Sequence, residues 1–77
     1  MDIEKKIIEL AAKVYEKDEA SITPETNIRE ELSNQSMKLI ALISFIEDEL
    51  DVVIEFQTAM GLVTIGDVID KVKELQA

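Results

Sequence analysis

The run LSNQSMKLIALISFIEDELDVVI, Leu32 to Ile54, decides the fold. From Ser36 onward its apolar residues Leu39, Leu42, Ile43, Ile46 and Leu50 recur at the spacing of one helical face. At 100° per residue they fall within about 60° of a common centre. The spacing predicts a helix over about 36–50 with those five residues in the core. Met37, Ala41, Ser44 and Asp48 fall near the opposite side. Ile40 and Glu47 lie on one flank, with Lys38, Phe45 and Glu49 towards the other. A column of Met, Ala and Ser with Ile40 beside it and carboxylates at its end suits a shallow protein contact with a charged rim.

At the head of this helix stands Ser36. On local chemistry it reads as an N-cap, its hydroxyl accepting a hydrogen bond from the second or third helical N–H. Ser33 and Asn34 offer the same chemistry upstream. If either caps, Ser36 moves into the first turn with its hydroxyl exposed. A phosphate ester there would lie at the positive end of the helix dipole, beside unpaired N–H groups.

Two further segments carry the helical repeat. Ile3, Ile7, Leu10, Ala11 and Val14 predict a helix over about 2–16, with Asp2 and Glu4 favourably placed at its start. Ile65, Val68, Ile69, Val72 and Leu75 predict another over about 65–75, opened by a capping-box pattern, Thr64 with Asp67. The connection from Lys17 to Gln35 is long and rich in turn formers, with Ile22, Ile28 and Leu32 as isolated apolar residues able to pin it to the core. Between Asp51 and Val63 the stretch DVVIEF could pass for a strand by β-branching, but a lone strand has no partner. A loop and then a short helix over about 57–61, closed by Gly61, is the better reading. The expected fold is all-α: a single domain over 1–77, a small antiparallel bundle of three main helices plus one short helix, with a long first loop.

Composition narrows the function. Acidic residues outnumber basic ones 17 to 8, a formal charge of −9. That field repels nucleic acid and anionic lipid headgroups and favours basic protein surfaces. The chain has no Cys and no His, which removes the thiol nucleophile, cysteine zinc sites and the commonest general base. No metal site is expected. Lys38 is two positions from Ser36, so the pair does not share a helix face as a Ser–Lys dyad would. Gly61 and Gly66, the only glycines, make no phosphate loop. An enzyme is not expected. The longest unbroken apolar run, Leu39 to Ile43, is far short of the ~20 residues that span a bilayer, and no signal-peptide pattern is visible. The expectation is a monomeric cytoplasmic protein.

Over essentially its whole length the sequence resembles the acyl carrier proteins of fatty acid and polyketide synthesis. The resemblance rests on Leu32-Ser33-Asn34-Gln35-Ser36-Met37, on the acidic helix end IEDELDVVI with Ile54, and on TIGDVIDKV, Thr64 to Val72. It implies a non-enzymatic carrier with 4′-phosphopantetheine attached to Ser36 by a phosphopantetheinyl transferase. The thiol of that arm would hold acyl groups as thioesters and present them to biosynthetic enzymes with basic docking surfaces. In such carriers the acyl chain can slip among the helices. The resemblance also makes the second helix the recognition surface, with Gln35, Met37, Lys38, Ile40, Ala41, Ser44, Glu47, Asp48 and Ile54 as the expected partner contacts. Where the family has Asp before the serine, this chain has Gln35. Ser33 replaces a glycine, Lys38 stands at an acidic position, and Ala41 replaces a common Glu. These departures point to a specialised or diverged carrier. The alternative is an unmodified carrier-like module that binds a partner through its second helix, and calcium buffering by the acidic surface is a third.

Overall fold

The computed structural model describes residues 2–77. Four α-helices follow in order: α1 (Ile3–Tyr15), α2 (Ser36–Leu50), α3 (Phe56–Met60) and α4 (Ile65–Gln76). Among the described residues there is no strand, only an isolated antiparallel bridge between Asn27 and Thr64. The molecule is an all-α bundle in which α1 packs against both α2 and α4, and α2 packs against α3.

Each main helix turns most of its expected stripe into the core, with Ile3 and Val14 of α1 only half-buried. Leu39, Leu42, Ile43, Ile46 and Leu50 of α2 are all buried, as are Ile7, Leu10 and Ala11 of α1 and Ile65, Val68, Ile69 and Val72 of α4. The Asp2 side chain caps α1 by accepting the Lys5 N–H at 3.1 Å. Thr64 and Asp67 form the reciprocal capping box at the start of α4. Leu75 departs from its expected core position: it lies in the last turn and remains 44% exposed.

The connection between α1 and α2 is pinned and partly ordered. Ile22 and Ile28 are buried as expected, while Leu32 is half-buried against the core. A short 3-10 turn covers Glu19–Ser21, and Ile28–Leu32 forms one wide turn closed by the Ser33 N–H on the Ile28 carbonyl at 3.0 Å. The connection is then sewn to the head of α4. Ile28 N donates to Val63 O at 2.9 Å, Ile65 N to Thr26 O at 3.0 Å, and Gly66 N to Pro24 O at 2.8 Å. These bonds give a long loop the backbone partners it would otherwise lack.

Within the DVVIEF stretch, Val52 to Glu55 form an unpaired loop, with Val52 and Ile54 buried and Val53 and Glu55 exposed. The short helix starts at Phe56, one residue before the expected start, and ends at Met60. Gly61 closes it without a left-handed backbone, at φ −87. The left-handed positions are instead Glu16 (φ 55) and Asp51 (φ 54), which end α1 and α2. Leu50 O, at the end of α2, accepts the side-chain amide of Gln76 at 3.0 Å.

Candidate functional site

Ser36 is the first residue of α2 and is exposed. It does not cap the helix, which corrects the local reading, and neither Ser33 nor Asn34 does so in its place. Gln35 occupies the cap position with extended backbone, and its side chain makes no capping hydrogen bond. The Ser33 hydroxyl is turned to the approach segment, where it accepts the Gln35 N–H at 3.1 Å. The first turn also contains no acidic residue. The positive end of the α2 dipole is therefore uncompensated by any side-chain cap or carboxylate in the first turn, beside an exposed hydroxyl.

Down the exposed face of α2 run Met37, Ile40, Ser44 and Asp48, with Ala41 half-buried among them. Met37 is 78% exposed. Three expected contact residues, Lys38, Glu47 and Ile54, are engaged by the chain itself. The Lys38 ammonium reaches back to α1, donating to Val14 O at 3.3 Å, with the Glu16 carboxylate at 3.7 Å. It balances the carbonyl end of α1 instead of projecting from the face. Ile54 is buried, and its N–H donates to the Glu47 carboxylate at 2.8 Å. Ile54 therefore lies beneath the surface, in the wall of a groove.

That groove runs between α2 and α3 with a volume of about 140 Å³, lined by Ile40, Ile43, Ser44, Glu47, Ile54, Phe56 and Ala59. Sequence reasoning missed Phe56 and Ala59. Phe56 is 63% exposed at the groove's edge. It is one of only two phenylalanines in the chain, a signal available from composition alone. On the other flank of α2, Phe45 is half-exposed above a hollow of about 180 Å³ that it lines with Leu10, Lys13, Val14 and Glu49. Glu49 is tied to Lys6 of α1 at 3.0 Å, and hydrogen bonds from Lys6 to Glu49 and then Glu9 raise the Lys6 pKa. Of the carboxylates at the end of α2, Asp48, Glu49 and Asp51 are exposed and Glu47 is half-buried.

The site is thus an exposed serine at the first position of a helix without a side-chain cap, with an apolar groove that begins about one turn further along the helix at Ile40. Residues 5–72 match the family model described as the phosphopantetheine attachment site. The chain belongs to this family of acyl carrier proteins, which are carriers and not enzymes. Its sequence is 36% identical over 75 residues to the acyl carrier proteins of Rickettsia typhi and Rickettsia prowazekii, spanning 97% of this chain and 87% of each relative. A solved structure assigned as an acyl carrier protein of Mycobacterium tuberculosis superposes with a TM-score of 0.87 at 32% identity. The match covers 95% of this chain and 97% of that one. The family's prosthetic group is 4′-phosphopantetheine. The chain's own features fit its phosphate, because first-turn N–H groups without a side-chain cap stand beside a free hydroxyl.

Proposed function

We propose that Ser36 carries the 4′-phosphopantetheine arm and that the chain acts as one carrier domain for acyl thioesters. The observation that carries this reading is the exposed Ser36 hydroxyl at the first position of an uncapped helix. In the loading step the Ser36 oxygen forms a new P–O bond to the phosphorus that bears the pantetheine, the pyrophosphate P–O bond of coenzyme A breaks, adenosine 3′,5′-bisphosphate leaves, and the hydroxyl proton passes to a base of the transferase. The arm supplies the thiol that this cysteine-free chain lacks. The chain's part is to hold the hydroxyl clear of the bundle and to offer first-turn N–H groups to the phosphodiester. The groove between α2 and α3 gives a short acyl chain an apolar resting place. Met37, Ile40, Ser44 and Asp48 form the contact face for the transferase and the synthase enzymes.

The carrier is specialised. Gln35, Lys38 and Ala41 leave the N-terminal half of α2 without the usual carboxylates, and no acidic residue occurs between Ser36 and Ile46. Attraction for a basic partner is concentrated at the far end, at Glu47, Asp48 and Asp51. Full exchange with a housekeeping carrier in a fatty acid synthase assay would argue against specialisation.

Intact mass after incubation with coenzyme A and a broad-specificity phosphopantetheinyl transferase tests the attachment. The expected result is a gain of one arm that disappears in Ser36→Ala. No gain with several transferases would leave the unmodified, partner-binding module as the function.

A further inference from the structure

We infer that Arg29 is a positioning residue: its guanidinium clamps the C-terminal end of α3 and so holds the outer wall of the groove in place. Arg29 is the chain's one arginine, and it lies in the wide turn Ile28–Leu32 that leads into the segment before Ser36. One guanidinium nitrogen, Nη2, donates to the Met60 carbonyl at 2.9 Å. The other, Nη1, donates to the Leu62 carbonyl at 3.3 Å. The two carbonyls flank Gly61, so the fork bridges the point where α3 stops.

This clamp matters because α3 has few anchors of its own: Ala59 is buried, and Met60 is only partly buried against the core. It spans five residues, little more than one turn, and so short a helix is unstable on its own. Its cap residue Glu55 makes no side-chain bond, and its own buried anchor is Ala59 alone. Phe56 at its head borders the groove and stays largely exposed. Arg29 itself is fixed, since the adjacent Ile28 is fully buried and its N–H is bonded to Val63 O. A planar, two-nitrogen donor on a fixed turn is well made for two carbonyls at set positions. Phe56 and Ala59, the part of the groove wall contributed by α3, thus keep their place partly through a residue outside the groove.

The inference rests on the proposed carrier role only for the groove's use, and its test separates the two. In the unmodified protein, amide hydrogen exchange is compared for wild type, Arg29→Gln and Arg29→Lys. The expected result is exchange of the Ala59, Met60 and Leu62 amides at least 10-fold faster in Arg29→Gln, with α1 and the centre of α2 unchanged. Arg29→Lys keeps the charge but offers one nitrogen, and should restore no more than part of the protection. Uniform acceleration in all helices, no acceleration, or full restoration by Lys would overturn the clamp. A Tyr15→Phe control should leave α3 exchange unaltered, because the Tyr15 hydroxyl makes no hydrogen bond. In protein loaded at Ser36 with an octanoyl arm, the arm should perturb the methyl signals of Ile54 and Ala59 less in Arg29→Gln than in wild type, at equal loading. Equal perturbation would overturn the clamp's control of the groove. Failure of wild type to load would count against the carrier reading and leave the exchange comparison intact.

Discussion

Gly66 and Gly61 look alike in sequence but stand in different surroundings. A Cβ on Gly66 would lie 2.9 Å from the Pro24 carbonyl oxygen, on backbone that the Gly66 N–H itself holds close. Gly66→Ala should therefore destabilise the fold by about 1–3 kcal/mol in urea unfolding, despite alanine's better helix propensity. A Cβ on Gly61 meets only ordinary contacts beyond 3.5 Å, and its backbone is right-handed. Gly61→Ala should leave stability unchanged or raise it by about 0.4–1 kcal/mol. Tyr15 supplies a third residue-level test. Its ring is buried and its hydroxyl has no partner, and burial raises the phenol pKa above its usual value, with Arg29 opposing. Because the folded state holds that proton more firmly, stability is intact below about pH 10 and falls as pH rises through the folded pKa. Tyr15→Phe should be neutral or stabilising at pH 7 and should lessen the loss of stability between pH 9 and pH 11, measured by thermal melts. Neither glycine's environment nor the unpartnered hydroxyl is visible in the sequence, because each depends on a neighbour from another element.

At the scale of elements, helix starts were the more legible ends. Thr64 and Asp67 were recognisable as a capping box, and the N–H groups of Thr64 and then Val63 hold the Asp67 carboxyl below its ordinary pKa. A lowered folded-state pKa contributes stability above the unfolded value near 4 that is lost as pH falls through the folded value. The stability difference between wild type and Asp67→Asn should thus be largest above about pH 5 and shrink by pH 3, read from urea midpoints at each pH. Thr64→Ala should cost about 0.5–2 kcal/mol. The start of α2 read differently. Serine's strong capping preference pointed to Ser36 as the cap, and the chain places Gln35 there, with Ser33 bonded to the approach segment instead. Helix ends were least legible. The glycine signal pointed to Gly61, whereas Glu16 and Asp51 took the left-handed positions. In these places the path of the following chain outweighed residue preference. The candidate site was partly legible for the same reason. The column from Met37 to Asp48 followed from periodicity, but the turning of Lys38 onto α1 and of Ile54 inward required knowing which helix lay alongside.

At the scale of the whole molecule, a formal charge of −9 on a body about 28 × 26 × 19 Å means self-repulsion throughout the fold. Stability should rise between 10 mM and 300 mM NaCl, as measured by Tm, because screening relieves that repulsion. A fall in Tm over that range would mean that the few surface ion pairs outweigh it. The core should be indifferent to salt: Ile46→Ala, at a fully buried position, should cost about 2–5 kcal/mol with little dependence on NaCl. The sequence by itself determined the all-α class, the inward face of each main helix and the family, since amphipathic period and full-length pattern are properties of the chain alone. The tertiary structure decided what the loops do. It bonded Asn27 and its neighbours to the head of α4, set Arg29 on the end of α3, and opened the groove between α2 and α3. Those contacts join residues distant in sequence, and their geometry exists only once the helices have packed.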